Sequence, residues 1–492
     1  MRSFSRHRRS AGTAVACTVV VLALTACDGG RPAAAPANTS VEKVGSVTRN
    51  ACANPSQRGP GVECGTIVLP IDWTRPDGPT WQAEFYTQKA KSGPAKGTFL
   101  AFPPGPGDAA DFGFTTVAAM SDQYDMIGIN PRGVTESYTD PRGLECETRA
   151  ILDSPPVPPS NEPDFARMLE GSAALARSCR TEPAALREHL DAYDNARDAD
   201  ALRAALGIDQ VNLYALSYGT VTAERYLELF GTRVRASILE GVMSPAQSVE
   251  EFMTAAAAAA QRAFDDFARW CTDTPECPLP EHDARTALAQ ARAAAREGRI
   301  PPIDLGWVTR PWDEVLVVTS LEGALSGPFP DAAAMLAGLA AGQSPDSAAD
   351  RPGQDPDNAR PERMRYTGPL VCADFDLGVR SFDSASRILR RMREAAPDLW
   401  YNTNSSEYLA MCADMPRPAQ PGRPVRSIAP HPTMLLSRDN DLATPRDWAN
   451  QVAAQLGPDT KHFVSPGIGH GVDVREPATA AAVQAYLDSV NP

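Results

Sequence analysis

Short apolar runs and helix-patterned segments take turns along this chain from about residue 64 to residue 246. "CGTIVLPIDW" and "WQAEFYTQKA" read as two strands parted by the turn "RPDGPT", and "GTFLAF" and "YDMIGI" read as strands running into Gly/Pro loops. "DAYDNARDADALRAALGI" carries Ala196, Ala199, Leu202, Ala205 and Leu206 at helical spacing. "QVNLYALS" is then a strand, "YGTVTAERYLELF" a helix and "VRASILEGVMS" a strand again. Strands that alternate with helices lie parallel, because each crossover returns the chain to the same end of the sheet, and the helices cover its faces. The expected fold class is α/β, a mostly parallel sheet with helices on both faces.

The alternation stops near residue 246. "VEEFMTAAAAAAQRAFDDFARWC" is strongly helix-forming, and helical segments continue through "ARTALAQARAAAREG" and "SASRILRRMREAA". "GQSPDSAADRPGQDPDNARPER" between them has the composition of a mobile loop. The β pattern returns only at "PTMLLSRDNDLATP" and "TKHFVSPGIGHG", ahead of a last helix, "PATAAAVQAYLDSV". We therefore expect a mainly helical lid over 246–425, inserted between core segments 51–245 and 426–492. A chain of 492 residues has the length for a large domain with an insertion.

The start of the chain has a different character. "MRSFSRHRRS" is basic, "AGTAVACTVVVLALTA" is apolar, and "LTAC" ends at Cys27. A short anchor or a plain secretory signal cut after Ala26 shares part of this pattern. The aliphatic residue, two small residues and cysteine resemble a lipoprotein signal, which implies a signal peptide over 1–26 and a lipid on Cys27. Residues 27–50 are small, polar and Pro/Gly-containing and read as a flexible tether. The expected location is exported, lipid-anchored on the extracellular side of the membrane or secreted. Eight cysteines follow Cys27, an even number that favours four disulfides in an oxidising compartment. Pairing neighbours demands least of the topology: Cys52–Cys64, Cys146–Cys179, Cys271–Cys277 and Cys372–Cys412. No Cys/His cluster has metal-ligand spacing, so no metal is expected. With a formal charge of −14 and no Lys/Arg run after residue 10, the chain offers nucleic acid no basic patch.

The chemistry centres on "YALSYGT". A serine attacks only when a base takes its proton and a tight turn holds its hydroxyl clear of its own backbone. Small residues must flank such a turn, and Ala215 and Gly219 meet that demand around Ser217. His470 lies in the Gly-rich loop "PGIGHGV", after a strand and before the terminal helix; the other histidines past the leader are His189, His282, His431 and His462. Asp439 and Asp441 both follow the strand "TMLLS" and could orient the base. Serine, aspartate and histidine, each after a strand and in this order, match the chain order of α/β-hydrolase triads. An oxyanion hole needs two backbone N–H donors. Tyr218 supplies one; in "FPPGPGD" the prolines have none, so Gly105 is the natural second and Gly107 the alternative.

From about Cys52 onward the sequence resembles exported α/β-hydrolases of the tripeptidyl aminopeptidase type, relatives of prolyl iminopeptidases. The likeness runs through "CGTIVLPIDW", "PGPG", "YDMIGINPRGVTES", "NLYALSYGT", "LVCADFD", "CADMP", "DLATP" and "GIGHG". In that family D-x-x-T-P carries the triad acid and G-H-G the base, which implies Asp441 and His470. Three positions depart from it. Pro104 stands for a loop glycine, Asn130 and Thr135 for an aspartate and a glycine, and Ala215 for the glycine before the nucleophile. The resemblance implies a serine exopeptidase acting on peptide substrates; no cofactor is implied, and a monomer is expected. An aminopeptidase also needs a carboxylate for the substrate's ammonium; Glu250, Glu251, Asp265, Asp266 and Asp374 are all open. A carboxylesterase with the same triad needs none, and a surface binding protein that has lost activity is the third reading.

Overall fold

The computed structural model describes residues 43–490 apart from 53–60, 111–119, 121, 137–139, 141, 149, 151–157, 305–308, 346–361, 401–410, 413–414, 416–419 and 421. The leader, Cys27 and most of the Pro/Asp-rich loop lie outside the described residues.

Among the described residues nine strands form one sheet: β1 (Val47–Asn50), β2 (Val62–Pro70), β3 (Thr80–Gln88), β4 (Thr98–Phe102), β5 (Asp125–Ile129), β6 (Val211–Leu216), β7 (Val234–Glu240), β8 (Met434–Asn440) and β9 (Lys461–Ile468). Their order is β1-β2-β3-β5-β4-β6-β7-β8-β9. β1, β2, β3 and β5 pair antiparallel in sequence across the sheet, and every pair from β5 to β9 is parallel. β6 sits centrally, and all six of its residues are buried. That is why "VNLYAL" reads as a continuous apolar run: a central parallel strand is covered on both faces. Val211, Leu213 and Ala215 join a core with α2 (Ala192–Ala205), α3 (Gly219–Phe230) and α10 (Arg446–Leu456). Tyr214 and Leu216 point the other way, toward Tyr486 and Leu487 of α11 (Pro477–Val490).

Helices fill the stretch between β7 and β8: α4 (Val249–Asp273), α5 (Ala284–Arg296), α6 (Glu314–Leu325), α7 (Phe329–Ala340), α8 (Gly368–Asp374) and α9 (Phe382–Ala395). Ser248 starts α4 with a capping box closed by Glu251. The second half of α4 packs with α5, α6 and α7 around Phe264, Phe267, Leu288 and Leu336. Its first half meets α8, α9 and α1 (Glu162–Ser178) around Phe252, Val371 and Ile388.

A buried guanidinium ties the strand ends together. Arg132, fully buried, donates twice to Asp198 (2.7 and 2.9 Å), to Asp194 (3.2 Å) and to the carbonyls of Pro70 and Ile71. Nearby, Asn130 accepts from Ala110 N–H (2.8 Å) and donates to Glu84 (2.9 Å), so this departure from the family pattern has its own packing role.

The structure joins Cys52–Cys64, Cys146–Cys179, Cys271–Cys277 and Cys372–Cys412. One expectation needs correcting. The end of the supposed tether, Val47–Asn50, is an edge strand whose residues pair with Cys64–Ile67. Four mostly polar residues look like coil in sequence; the open edge of β2 gives their backbone groups partners.

Candidate active site

Leu216 at the end of β6 lies opposite Glu240 at the end of β7, and Asn440 of β8 lies opposite Ile468 of β9. Whatever follows these strands therefore emerges at one edge of the sheet. Ser217, Asp441 and His470 all do.

Ser217 has φ 57°, the left-handed region that costs a residue with a side chain about 1–3 kcal/mol. The turn is held from both sides: Ser217 N–H donates to the Glu240 carbonyl (2.9 Å), and Thr220 Oγ donates back to the Ser217 carbonyl (2.7 Å). Gly219 allows it, since a Cβ there would stand 2.4 Å from the Pro103 carbonyl oxygen. Ala215 is fully buried between β4 and β7, so its methyl is accommodated.

Asp441 is fully buried and its carboxylate is saturated. It accepts from Ala443 N–H (2.9 Å), Thr444 N–H (2.8 Å), Thr444 Oγ (2.9 Å) and Gly471 N–H (3.1 Å). His470 Nδ1 completes the set at 3.0 and 3.1 Å from the two oxygens. Asp439 instead forms an ion pair with Arg446. The His470 side chain stays 35% exposed. Burial pulls its imidazole down, but the charge of Asp441, its hydrogen bond and the charge of Glu240 outweigh that, so its pKa is raised from the ordinary value. The ring also rests against Gly241, where a Cβ would come within 3.1 Å of Cε1. Among the described residues no hydrogen bond joins Ser217 Oγ to His470, a contact that often tightens only in the substrate complex.

The other histidines are engaged elsewhere or lie apart. His189 meets Asp194 (3.2 Å), His282 the Cys271 carbonyl (3.2 Å) and His462 the Ser437 hydroxyl (3.0 Å); burial lowers the pKa of His462.

A family model described as the alpha/beta hydrolase fold matches residues 102–472. The chain belongs to the alpha/beta hydrolase family. Serine protease Hip1 of Mycobacterium tuberculosis is 30% identical to this hydrolase over 247 residues, 47% of this chain and 46% of that one. The chain thus spans about half the length of that relative. Carboxylesterase B of the same organism is 28% identical over 462 residues, 87% of this chain and 85% of the relative. Tripeptidyl aminopeptidase of Streptomyces coelicolor is 27% identical over 199 residues, 38% and 36% of the two chains.

Several residues that shape this site went unread in the sequence. Glu240 is buried, accepts from Val472 N–H (2.7 Å) and Tyr214 Oη (2.8 Å), and so grips the loop that carries His470. Arg438 holds the same loop through the Gly471 carbonyl (2.9 Å). Both sit at strand ends, where alternation alone cannot separate a structural ion from a surface one. Thr444 was visible as the threonine of "DLATP".

Both expected oxyanion donors have partners in this conformation. Tyr218 N–H donates to the Pro104 carbonyl (2.8 Å), and Gly105 N–H donates to Asp108 (3.1 Å). Arg365 steadies the loop from the insertion side through the Gly107 carbonyl (2.9 Å). A small cavity of ≈ 20 Å³ lies beside the elbow, lined in part by Pro103, Gly105, Tyr218, Thr222 and Leu370.

The five acids considered for an ammonium all have partners. Glu250 pairs with Arg387, Glu251 caps α4, Asp265 pairs with Arg285 and Asp266 with Arg269. Asp374 is half-buried and accepts from Tyr218 Oη (2.6 Å). Among the described residues no group of three or more His, Cys, Asp or Glu is placed to hold a metal ion.

Proposed function

We propose that this hydrolase is an extracytoplasmic serine exopeptidase that cleaves peptides from the N-terminus. One observation carries the serine chemistry: Ser217, in a left-handed turn, shares a sheet edge with a His470–Asp441 pair bonded at 3.0 Å. Ser217 Oγ attacks the peptide carbonyl while His470 takes its proton, and His470 then protonates the leaving amine. Water repeats the sequence on the acyl-enzyme. Asp441 fixes the tautomer and stabilises the imidazolium. Tyr218 and Gly105 N–H groups receive the oxyanion once Pro104 and Asp108 release them. A tripeptidyl aminopeptidase and a serine protease among the relatives support peptides as substrates. Disulfides and the leader's resemblance to a lipoprotein signal support export with an anchor at Cys27.

The second reading is a carboxylesterase, favoured because the relative matched over 85% of its own length carries that name. Purified protein lacking residues 1–27 separates the two. Turnover of free but not N-blocked tripeptide amides is expected, whereas turnover of short-chain aryl esters alone sinks the peptidase reading. A fluorophosphonate should label wild type and not Ser217→Ala; equal labelling discards the mechanism. Cys27→Ala should release the full-length protein from membranes, and unchanged retention contradicts the anchor.

A further inference from the structure

Tyr218 is held at both ends. Its N–H faces the Pro104 carbonyl, as described, while its phenol reaches the insertion. Tyr218 Oη donates to Asp374 Oδ2 (2.6 Å) and lies 2.8 Å from the Leu370 carbonyl, both on α8. Its ring leans on Phe375, with centroids 6.3 Å apart. Asp374 is anchored in turn: Oδ1 accepts from Ala192 N–H (2.7 Å), the first residue of α2. The bridge Cys372–Cys412 fixes the middle of α8.

This arrangement has a mechanical meaning. To bind an oxyanion, Tyr218 N–H must exchange the Pro104 carbonyl for substrate oxygen. At that moment the loop no longer holds the residue, and the phenol joins the turn's own bonds, from Thr220 to the Ser217 carbonyl and from Val221 N–H to the Tyr218 carbonyl, in keeping the N–H aimed. We propose that Asp374 is a positioning residue for the oxyanion donor, acting through the Tyr218 phenol and never touching substrate. The proposal rests on the serine-hydrolase reading above.

The bond also senses pH. Burial pushes the Asp374 carboxyl up to about 7, against the hydrogen bonds from Tyr218 and Ala192 that pull it down. Asp191 and Arg225 act on it from α2's cap and from α3, and Glu224 of α3 is a further buried acid whose own carboxyl is raised by burial and by Asp374. With the proton present, Asp374 donates to Tyr218 Oη and the phenol donates to Leu370. With it gone, the phenol turns to the carboxylate and the Leu370 carbonyl loses it.

Steady-state kinetics on one aryl ester or peptide amide test this. Asp374→Leu and Tyr218→Phe should each lower kcat by about ten- to a hundredfold, as misaiming one oxyanion donor does, with KM within about twofold. The double variant should lose no more than either single one. Asp374→Asn should keep most of kcat and lose an ionisation near neutrality, leaving the His470 limb. Additive losses, unchanged kcat in Tyr218→Phe, or a change confined to KM overturn the proposal; the last marks Asp374 as an ammonium site instead. If Asp374→Leu does not fold, Tyr218→Phe decides, because it leaves Asp374 and the main chain in place. Wild type that neither turns over nor labels defeats the serine-hydrolase reading itself, a result distinct from active wild type with indifferent variants.

Discussion

A serine hydroxyl in water is a poor nucleophile; what changes it here is where its neighbours point. His470 serves as base only when neutral, and Asp441 raises its pKa above the ordinary 6.5. Activity should therefore fall as pH drops through a midpoint above that value. In Asp441→Asn the attraction is gone, so the midpoint should move to lower pH and kcat should fall on the order of 10³–10⁴-fold. A pH–rate profile of both proteins checks this; an unmoved midpoint contradicts the assignment. Asp108 acts in the opposite sense, placing a carboxylate on the N–H that should receive negative charge. Asp108→Asn should speed fluorophosphonate labelling by about fivefold, equivalent to roughly 1 kcal/mol. Slower labelling would mean that Asp108 shapes the loop more than it obstructs it.

At the level of elements, the sequence could be read wherever one pattern dictates one geometry. β6, the turn and α3 follow from an apolar run, a serine between small residues and a helical period. The loops after two late strands offer His470 and either Asp439 or Asp441, and it is the family likeness of "DLATP" that picks Asp441. β1 did not, because its pairing is imposed by β2 rather than by its own residues. The two-stranded pairs Glu145–Glu147 with Arg363–Arg365 and Ile303–Asp304 with Thr309–Arg310 are too short to carry alternation. Asp374 could be named as an acid of interest, yet its partners lie 156 and 182 residues away in the chain. No local pattern reports that. Arg132 joins the end of β2, the loop after β5 and α2 in one buried network. Arg132→Gln leaves Asp198 buried without its cation, and denaturant unfolding should show a loss of about 3–5 kcal/mol. A loss below 1 kcal/mol would mean that water or a neighbour takes its place.

Across the whole molecule, covalent and non-covalent cohesion are divided unevenly. Each bridge closes a local loop, spanning between 6 and 40 residues. None links the half that carries Ser217 to the half that carries Asp441 and His470. That link is non-covalent, and the β7–β8 pairing, the grip of Glu240 on Val472 and the bond from Ser237 N–H to Tyr486 Oη are parts of it. In the loop-entropy account, removing Cys372–Cys412 should cost roughly 4 kcal/mol and removing Cys271–Cys277 roughly 2 kcal/mol. Paired alanine variants in urea measure the difference, and the reverse order would point to strain relief instead of entropy.

Consecutive pairing also bears on biogenesis. A polypeptide threaded through a translocon N-terminus first exposes its cysteines one at a time. Because Cys52 pairs with Cys64, Cys146 with Cys179 and so on down the described chain, each thiol's partner is the next to emerge. An oxidase acting on successive pairs as they appear makes the native set directly. If the chain is exported as proposed above, this pattern is one that oxidation of successive pairs can complete without isomerisation.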